Sequence, residues 1–294
     1  MPYITNRVKG GLMKPVQIYS PSQTVNYGFC PRYWALKRRH LVPRVIAYPE
    51  LCAVLGHGFS YFAATVNSGR GIIGEALQLA TAEMDAELQH RLLNGGRRIT
   101  ADKDKEFADT LPTLLRKAAN LLMANNPITR YKIVAVEQDL SDEDKGRPDV
   151  VVLDSEGQFP VDYKLKVKLE AQWMSKELRK YDRSWQMRHY ASGLSSLRYA
   201  IVLIVLGPKP SVHFEPYSIS SPILRLHQNN AVQLWANMQA SSDDPRHQLT
   251  NPKHYDEYGP CEMVDACETY MLDEQAMSLQ YVQLPRRIKV TNGI

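Results

Sequence analysis

The sequence predicts an α/β protein in which a mixed central β-sheet is flanked by helices. Apolar residues recur at helical spacing up to residue 124, and the pattern changes to strand-like alternation at 131–140. The run YAIVLIVLG at 199–207 is continuously apolar, which is typical of a strand buried on both faces. The order of helices, three strands, a helix, two strands and a final helix therefore favours a sheet with helices packed against it.

Each element has its own sequence signal. The first and last helices start at Ser-Pro pairs, Ser20-Pro21 and Ser221-Pro222, because a cap residue followed by proline favours a helix start. Pro112 predicts a kink or boundary, and Pro216 predicts an edge strand. The predicted helices are 19–41, 51–68, 75–93, 101–124, 170–194 and 221–240. The predicted strands are 131–140, 148–154, 159–165, 199–207 and 212–219.

Composition narrows the class of protein. The chain has 294 residues, 44% of them hydrophobic, and a net charge of +5, which permits a polyanionic partner. We expect no membrane-spanning segment, because no apolar run reaches the roughly 18 residues that a bilayer requires. The amino terminus lacks the apolar stretch of a signal peptide, so a soluble cytoplasmic protein is expected.

The segment GRPDVVVLDSEGQFPVDYKLK carries charges where a buried hairpin would prefer neutral side chains. Hairpin pairing around the Ser-Glu-Gly turn brings Asp149 and Asp162 to one face, where the carboxylates repel unless a cation lies between them. Lys164 is two residues beyond Asp162 and shares its strand face. The pattern indicates either a Mg²⁺ or Mn²⁺ site or a salt-bridged surface hairpin.

Pro148-Asp149 followed by Asp162-Tyr163-Lys164 resembles the motif of the PD-(D/E)XK nuclease superfamily. The segment SPSQTVNYGFCPRYWAL and the pair Gly56-His57 resemble its RecB-like exonuclease branch, which includes CRISPR-associated adaptation nucleases and phage exonucleases. In QMRHY, Gln186 and Tyr190 match the branch's Gln-x-x-x-Tyr helix motif, whose spacing puts both on one helical face. Together the motifs span about residues 19–267.

The resemblance implies a restriction-endonuclease-like core and a Mg- or Mn-dependent deoxyribonuclease. His57, Asp149 and Asp162 would ligate the metal with the carbonyl of Tyr163, and Lys164 would position the attacking water. Gln186 and Tyr190 would hold DNA or shape the site. Glu137, in the strand before Asp149, is either part of the site or a plain surface charge.

The resemblance also implies a substrate and partners. Exonuclease action on single-stranded DNA ends is expected, with possible protein partners of recombination, repair or CRISPR adaptation. The alternative is a catalytically silent DNA-binding or assembly subunit that keeps the fold. Basic side chains that could follow a phosphate backbone, or simply face solvent, are Lys37, Arg38, Arg39, Lys176, Arg179, Lys180, Arg183 and Arg188.

Many members of this branch hold a 4Fe-4S cluster with one early and three late cysteines. Here Cys30, Cys261 and Cys267 match, and His254 occupies the position of the missing cysteine. Three cysteines and one histidine suit tetrahedral zinc and can also hold a cluster. A 4Fe-4S cluster, a structural zinc and metal-free packed cysteines therefore all stay open, while Cys52 is expected to be a buried thiol.

We predict one nuclease domain over 1–294. Its parts are N-terminal helices at 19–68 with Cys30 and His57, a helical insertion at 69–126, a catalytic core at 131–240, a metal-binding clasp at 245–267 and a tail at 268–294.

Overall fold

The computed structural model describes most of the chain between residues 21 and 284. The described residues are 21–69, 72–93, 96–137, 140, 146–241, 244, 255–256, 259–260, 263, 267, 272, 274–277 and 280–284. The helices are α1 (Pro21–Phe29), α2 (Pro31–Arg38), α3 (Tyr48–Asn67), α4 (Ile73–Leu93), α5 (Asp102–Ala124), α6 (Met174–Asp182), α7 (Trp185–Gly193), α8 (Ser221–Ala240) and α9 (Glu274–Met277). The strands are β1 (Leu41–Pro43), β2 (Lys132–Val136), β3 (Val150–Asp154), β4 (Gly157–Lys166), β5 (Arg198–Val205), β6 (Ser211–Ser218), β7 (Tyr255–Asp256), β8 (Gly259–Pro260) and β9 (Tyr281–Gln283).

The central sheet has five strands in the order β2-β3-β4-β5-β6. All neighbours are antiparallel except β4 and β5, which run parallel and are connected through α6 and α7. The sheet is therefore mixed, as predicted. Strand β6, which contains Pro216, lies at an edge, in agreement with its sequence.

Helices cover both faces of this sheet, as the apolar run of β5 predicted. Ala200, Val202 and Ile204 of β5 face a core built with α3, α4 and α5. The residues between them, Ile201 and Leu203, face a second core built with α7 and α8. The period of two along a strand sends neighbouring residues to opposite layers, so β5 is buried throughout.

Two predicted helices are each divided in two. Cys30 is extended (φ −159°, ψ 113°) and precedes Pro31, because the residue before a proline is disfavoured in the helical region. That position separates α1 from α2. Between α6 and α7, Ser184 caps the new helix by accepting a hydrogen bond from the Met187 N–H at 3.3 Å.

The predicted helical insertion at 69–126 is part of the main core. Helices α4 and α5 pack on α3, and their apolar side chains join the cluster that covers the sheet. Gly58 of α3 permits this contact, since a Cβ at that position would lie 2.8 Å from the Cβ of Met84. Pro112 lies inside α5, which continues through it.

Helix α2 links the sheet layers to the C-terminal segment. Trp34 packs with Met238 of α8, and Leu36 packs with Met263, Leu272, Met277 and Tyr281. Strand β1 pairs with β9 next to this cluster. No helix in the described ranges has both the length and the apolar character needed to cross a membrane.

Candidate active site

Three carboxylates occupy one row across neighbouring strands. Val136 of β2 pairs with Val150 of β3, and Val150 pairs with Val161 of β4. Extending this pairing by one residue places Glu137, Asp149 and Asp162 side by side. The Glu137 N–H donates to the Asp149 carbonyl at 3.0 Å. Side chains directly opposite one another on a sheet are about 5 Å apart at Cβ, so the row concentrates negative charge at one point.

The two aspartates lie on the face that α6 and α7 cover. Val150 and Val161 point toward α3, and the alternation of the strands turns Asp149 and Asp162 the other way. Lys164 shares this face with Asp162. Strand β3 begins at Val150, so β4 continues past this row with only β5 beside it. The carboxylates therefore lie at the end of the pairing between β3 and β4, where β4 continues alongside β5.

Asp162 is buried, with 2% of the residue exposed. The surface salt-bridge interpretation of the hairpin is therefore wrong for Asp162. Its Oδ2 forms an ion pair with the Lys164 Nζ at 2.6 Å. Because a carboxylate has about four lone-pair positions on its two oxygens, Asp162 can bind a cation in addition to Lys164.

Asp149 is bonded more completely. Its Oδ2 accepts the N–H of Tyr163 at 2.7 Å, which places the aspartate against the backbone of the next strand. The Tyr163 ring points to the other face of the sheet, where its hydroxyl accepts a hydrogen bond from Asn67 at 2.9 Å. The backbone of Tyr163 is thus part of the site, while its side chain belongs to the core.

Burial and the neighbouring charged groups shift the pKa values of Asp149 and Lys164. Burial and the nearby Asp162 raise the pKa of Asp149 well above its ordinary value, and Glu137 adds to the effect. Burial opposes the charge of Lys164, but Asp162 and Asp149 outweigh it and raise the pKa of this lysine. Without a bound cation, Lys164 therefore remains protonated at neutral pH.

Gln186 and Tyr190 of α7 lie on one helical face, as their spacing predicted. The Gln186 Nε2 donates to the Tyr190 hydroxyl at 2.7 Å. Burial and the carboxylates of Asp162, Asp149 and Glu137 raise the pKa of Tyr190. The tyrosine is therefore a neutral phenol held close to the acidic row.

Glu137 has a left-handed backbone, with φ +48°. Non-glycine residues adopt this conformation uncommonly, and Glu137 directly follows the last residue of β2. The side chain is half-buried, and its charge acts on both Asp149 and Tyr190. Glu137 is therefore a member of the acidic row and not a remote surface charge.

His57 has a different environment from the one the resemblance implies. It lies on α3, and its Nε2 is hydrogen-bonded to the Glu83 Oε1 of α4 at 3.0 Å. Asp149, Asp162 and Lys164 have described contacts with one another, and His57 is not among them. The structure brings six of the predicted catalytic residues together and leaves His57 paired with Glu83.

The residues present fit a hard divalent cation. Magnesium binds through one or two carboxylates and keeps water or substrate phosphates as its remaining ligands, so Asp149 and Asp162 suffice as protein donors. The buried Asp162 carboxylate supplies one such donor group. Within the described ranges, no set of three or more histidine, cysteine or acidic side chains closes around a common point.

The predicted cysteine clasp is only partly visible. Cys30 is buried at the start of α2, where its Sγ accepts the Tyr33 N–H at 3.4 Å. Cys267 is half-buried and packs on the cluster that contains Leu36 and Tyr33. His254 and Cys261 lie outside the described residues. Both described cysteines therefore border the same part of α2, while the metal remains a prediction.

Comparison with known proteins does not assign this chain to a family. No protein-family model matches the chain, and no curated protein matches it. A functional assignment consequently depends on the chemistry of the site.

Some residues near the site were not predicted from the sequence. Glu83 was missed, because only the packing of α3 on α4 brings it to His57. Lys166 continues the period-two series of Asp162 and Lys164, a signal that could have revealed it. Glu177, to which Lys166 is paired at 2.7 Å, offered no comparable signal.

Proposed function

We propose that this chain is a divalent-metal-dependent deoxyribonuclease that hydrolyses phosphodiester bonds in DNA. The observation that carries the proposal is the row of Glu137, Asp149 and Asp162 beside Lys164, with the buried Asp162 Oδ2 paired to the Lys164 Nζ at 2.6 Å. Burial and the nearby carboxylates of Asp162 and Glu137 raise the pKa of Asp149. A protein that maintains this repulsion is suited to bind a cation.

Asp149 and Asp162 would hold Mg²⁺ or Mn²⁺, with the carbonyl of Tyr163 as a further donor. When bound, such a cation would offset the carboxylate repulsion, polarise a phosphodiester oxygen and lower the pKa of water. The Tyr163 N–H keeps Asp149 in place through its 2.7 Å hydrogen bond. The donors thus stand on two adjacent strands of a rigid hairpin, which suits a site that must keep its geometry.

Lys164 would act as a fixed positive charge. Its ammonium group is anchored to Asp162 and remains protonated at neutral pH. It can donate to the attacking water and stabilise the negative charge that develops on the phosphate oxygens. Proton abstraction would therefore come from another group or from solvent.

Gln186 and Tyr190 would shape the wall of the site that faces α7. Their mutual hydrogen bond fixes both side chains, and the neutral phenol can donate to a carboxylate or to a phosphate oxygen. Their role is to orient the bound strand, so their loss should affect binding and rate together.

His57 would join the metal only after exchanging its hydrogen bond with Glu83. The proposal therefore requires the two aspartates and Lys164 but does not require His57. A restriction-endonuclease-like core, and exonuclease action on single-stranded DNA ends in recombination, repair or CRISPR adaptation, are the finer parts of the proposal. Their support is the resemblance of the motifs.

The test is cleavage of end-labelled linear single-stranded DNA, linear duplex and circular single-stranded DNA, each with Mn²⁺ and with EDTA. We expect Mn-dependent shortening of the linear single strand and protection of the circle. Asp162→Ala should reduce cleavage to background, because it removes a metal donor, and Lys164→Ala should cost about 10²- to 10³-fold in rate.

Asp154→Asn is the matched control. Asp154 is an aspartate of the same hairpin, but it pairs with Arg198 at the other end of β3. This variant should cleave at the parent's rate. Equal cleavage by Asp162→Ala and the parent would show that the site is assigned wrongly, and DNA binding without any cleavage would favour the silent subunit.

A further inference from the structure

Lys166 extends the site along β4. It lies on the same strand face as Asp162 and Lys164, two residues beyond Lys164, which corresponds to about 6.6 Å along the strand. Its side chain is 27% exposed. A strand of DNA bound at the carboxylates can therefore continue to this lysine.

A buried carboxylate holds two lysine side chains in place on this part of the surface. Glu177 of α6 is 7% exposed and bonds the Lys166 Nζ at 2.7 Å and the Lys180 Nζ at 3.0 Å. It also accepts from the Tyr181 hydroxyl at 3.1 Å. Two lysines against one carboxylate leave one excess positive charge, and the exposed Lys168 and Lys176 add to it.

Trp173 directly precedes α6, the helix that carries Glu177 and Lys180, and contacts Lys176. It is 50% exposed, and no other aromatic side chain in the described part of the chain reaches the same class of exposure. Its backbone is helical and leads into α6, so it lies four residues before Glu177 on the same helical face. The Lys176 ammonium lies 5.3 Å from its ring centroid.

The helix that carries this group is held firmly. The Tyr199 hydroxyl lies 2.7 Å from the carbonyl oxygens of both Tyr181 and Asp182 and shares its one hydrogen between them, and the Tyr217 hydroxyl donates to the carbonyl of Leu178 at 2.7 Å. These bonds satisfy carbonyls in the last turn of α6. The second half of α6 is therefore tied to the sheet through Tyr199 and Tyr217.

We propose that Trp173, Lys166 and Lys180 form a nucleotide subsite next to the carboxylate row, in which Trp173 stacks an unpaired base and the lysines bind a phosphate of the same strand. This inference rests on the proposed function for the location of the reacting phosphate. The binding chemistry of the subsite does not depend on that function, because proteins bind single-stranded nucleic acid through aromatic rings and cationic side chains. A paired base is stacked inside its duplex and offers no face to Trp173.

The test measures binding and omits cleavage. Fluorescence anisotropy in EDTA follows a labelled oligothymidylate and, separately, its duplex with the complementary strand. Trp173→Ala should weaken single-strand binding about 5- to 100-fold and leave duplex binding unchanged, while Trp173→Phe restores part of the loss. Because Trp173 is exposed, circular dichroism should show both variants folded.

The lysines are tested by salt dependence. Lys180→Gln and the charge-neutral pair Lys166→Gln/Glu177→Gln should each lower the slope of log affinity against log salt by about 0.7, one phosphate contact on a single strand. Lys105→Gln, an exposed lysine of α5 in the helical layer on the opposite side of the sheet, should leave the slope unchanged.

Unchanged binding by Trp173→Ala, or an equal loss for single strand and duplex, would overturn the subsite. A parent that binds single strands through Trp173 yet cleaves nothing would refute the proposed function and leave the subsite standing.

Discussion

At the scale of single residues, the proposed metal site would lower the stability of the folded protein in return for the capacity to bind a cation. Asp149 contributes a carboxylate whose pKa is raised by burial and by Asp162, so its charged form is held at a cost in the absence of metal. Its hydrogen bond from the Tyr163 N–H fixes its position but does not offset this cost. Active sites commonly retain such unfavourable charges.

Asp149→Asn should therefore stabilise the metal-free protein. The amide oxygen can still accept from the Tyr163 N–H, the repulsion with Asp162 disappears, and Lys164 keeps its partner Asp162. We expect the melting temperature in EDTA to rise by about 3 °C, roughly 1 kcal/mol for a chain of this size. Differential scanning fluorimetry measures this change.

Addition of Mn²⁺ gives the matching control. At a concentration 100 times its dissociation constant, a ligand stabilises the native state by about 2.7 kcal/mol, so the parent should melt at a higher temperature with Mn²⁺. Asp149→Asn should respond little. A variant that is less stable than the parent in EDTA, and equally stabilised by Mn²⁺, would contradict the role of Asp149.

At the scale of elements, each strand and helix of the core was predicted from the sequence. The spacing of apolar residues within one segment is enough to distinguish a helix from a strand. The partition of the hairpin residues between two faces also followed from alternation. The breaks before α2 and α7 were missed, although Pro31 and Ser184 mark them. The pairing of His57 with Glu83 depends on how α3 meets α4, and no local pattern contains that information.

The packing of α8 on α7 makes a separate prediction about pH. His227 of α8 is buried against Trp185 of α7, with ring centroids 4.3 Å apart, and its Nε2 has no hydrogen-bond partner among the described residues. Burial, with His189 and Arg188 nearby, lowers the pKa of His227 from 6.5 to about 4. The folded protein therefore keeps this imidazole neutral.

The sign of the effect follows from linkage. Between pH 6.5 and 4 the unfolded chain binds a proton at this histidine and the folded chain does not, so stability falls as the pH falls and levels off below pH 4. The loss from this group is up to about 3 kcal/mol. Urea unfolding at several pH values should show it in the parent and not in His227→Phe.

His213→Gln provides the control for that experiment. His213 is a half-buried histidine of the edge strand β6, bonded to Ser211 at 2.8 Å. Its replacement should leave the difference between pH 6.5 and 4 unchanged. If the parent and His227→Phe lose stability in parallel over this range, His227 does not remain neutral in the folded state.

At the scale of the whole molecule, the site lies at the junction of three layers. The carboxylate row belongs to the sheet, Gln186 and Tyr190 come from the layer of α6, α7 and α8, and α3 supports the hairpin through Phe59 against Tyr163. Helix α2 joins this assembly to the C-terminal segment. A clasp at α2 would therefore stabilise the whole molecule without touching the reacting groups.

The cysteine clasp makes the last prediction. Cys30 and Cys267 both border α2 near Tyr33, so a metal held there with His254 and Cys261 would tie the C-terminal segment to the N-terminal helices. A 4Fe-4S cluster would give anaerobically purified protein a broad visible absorbance, whereas zinc would give a colourless protein with stoichiometric zinc.

Cys267→Ser should lose the metal and at least about 2 kcal/mol of stability. Cys52→Ser, at a half-buried thiol on α3, should retain both, and a metal-free parent as stable as Cys267→Ser would refute the clasp.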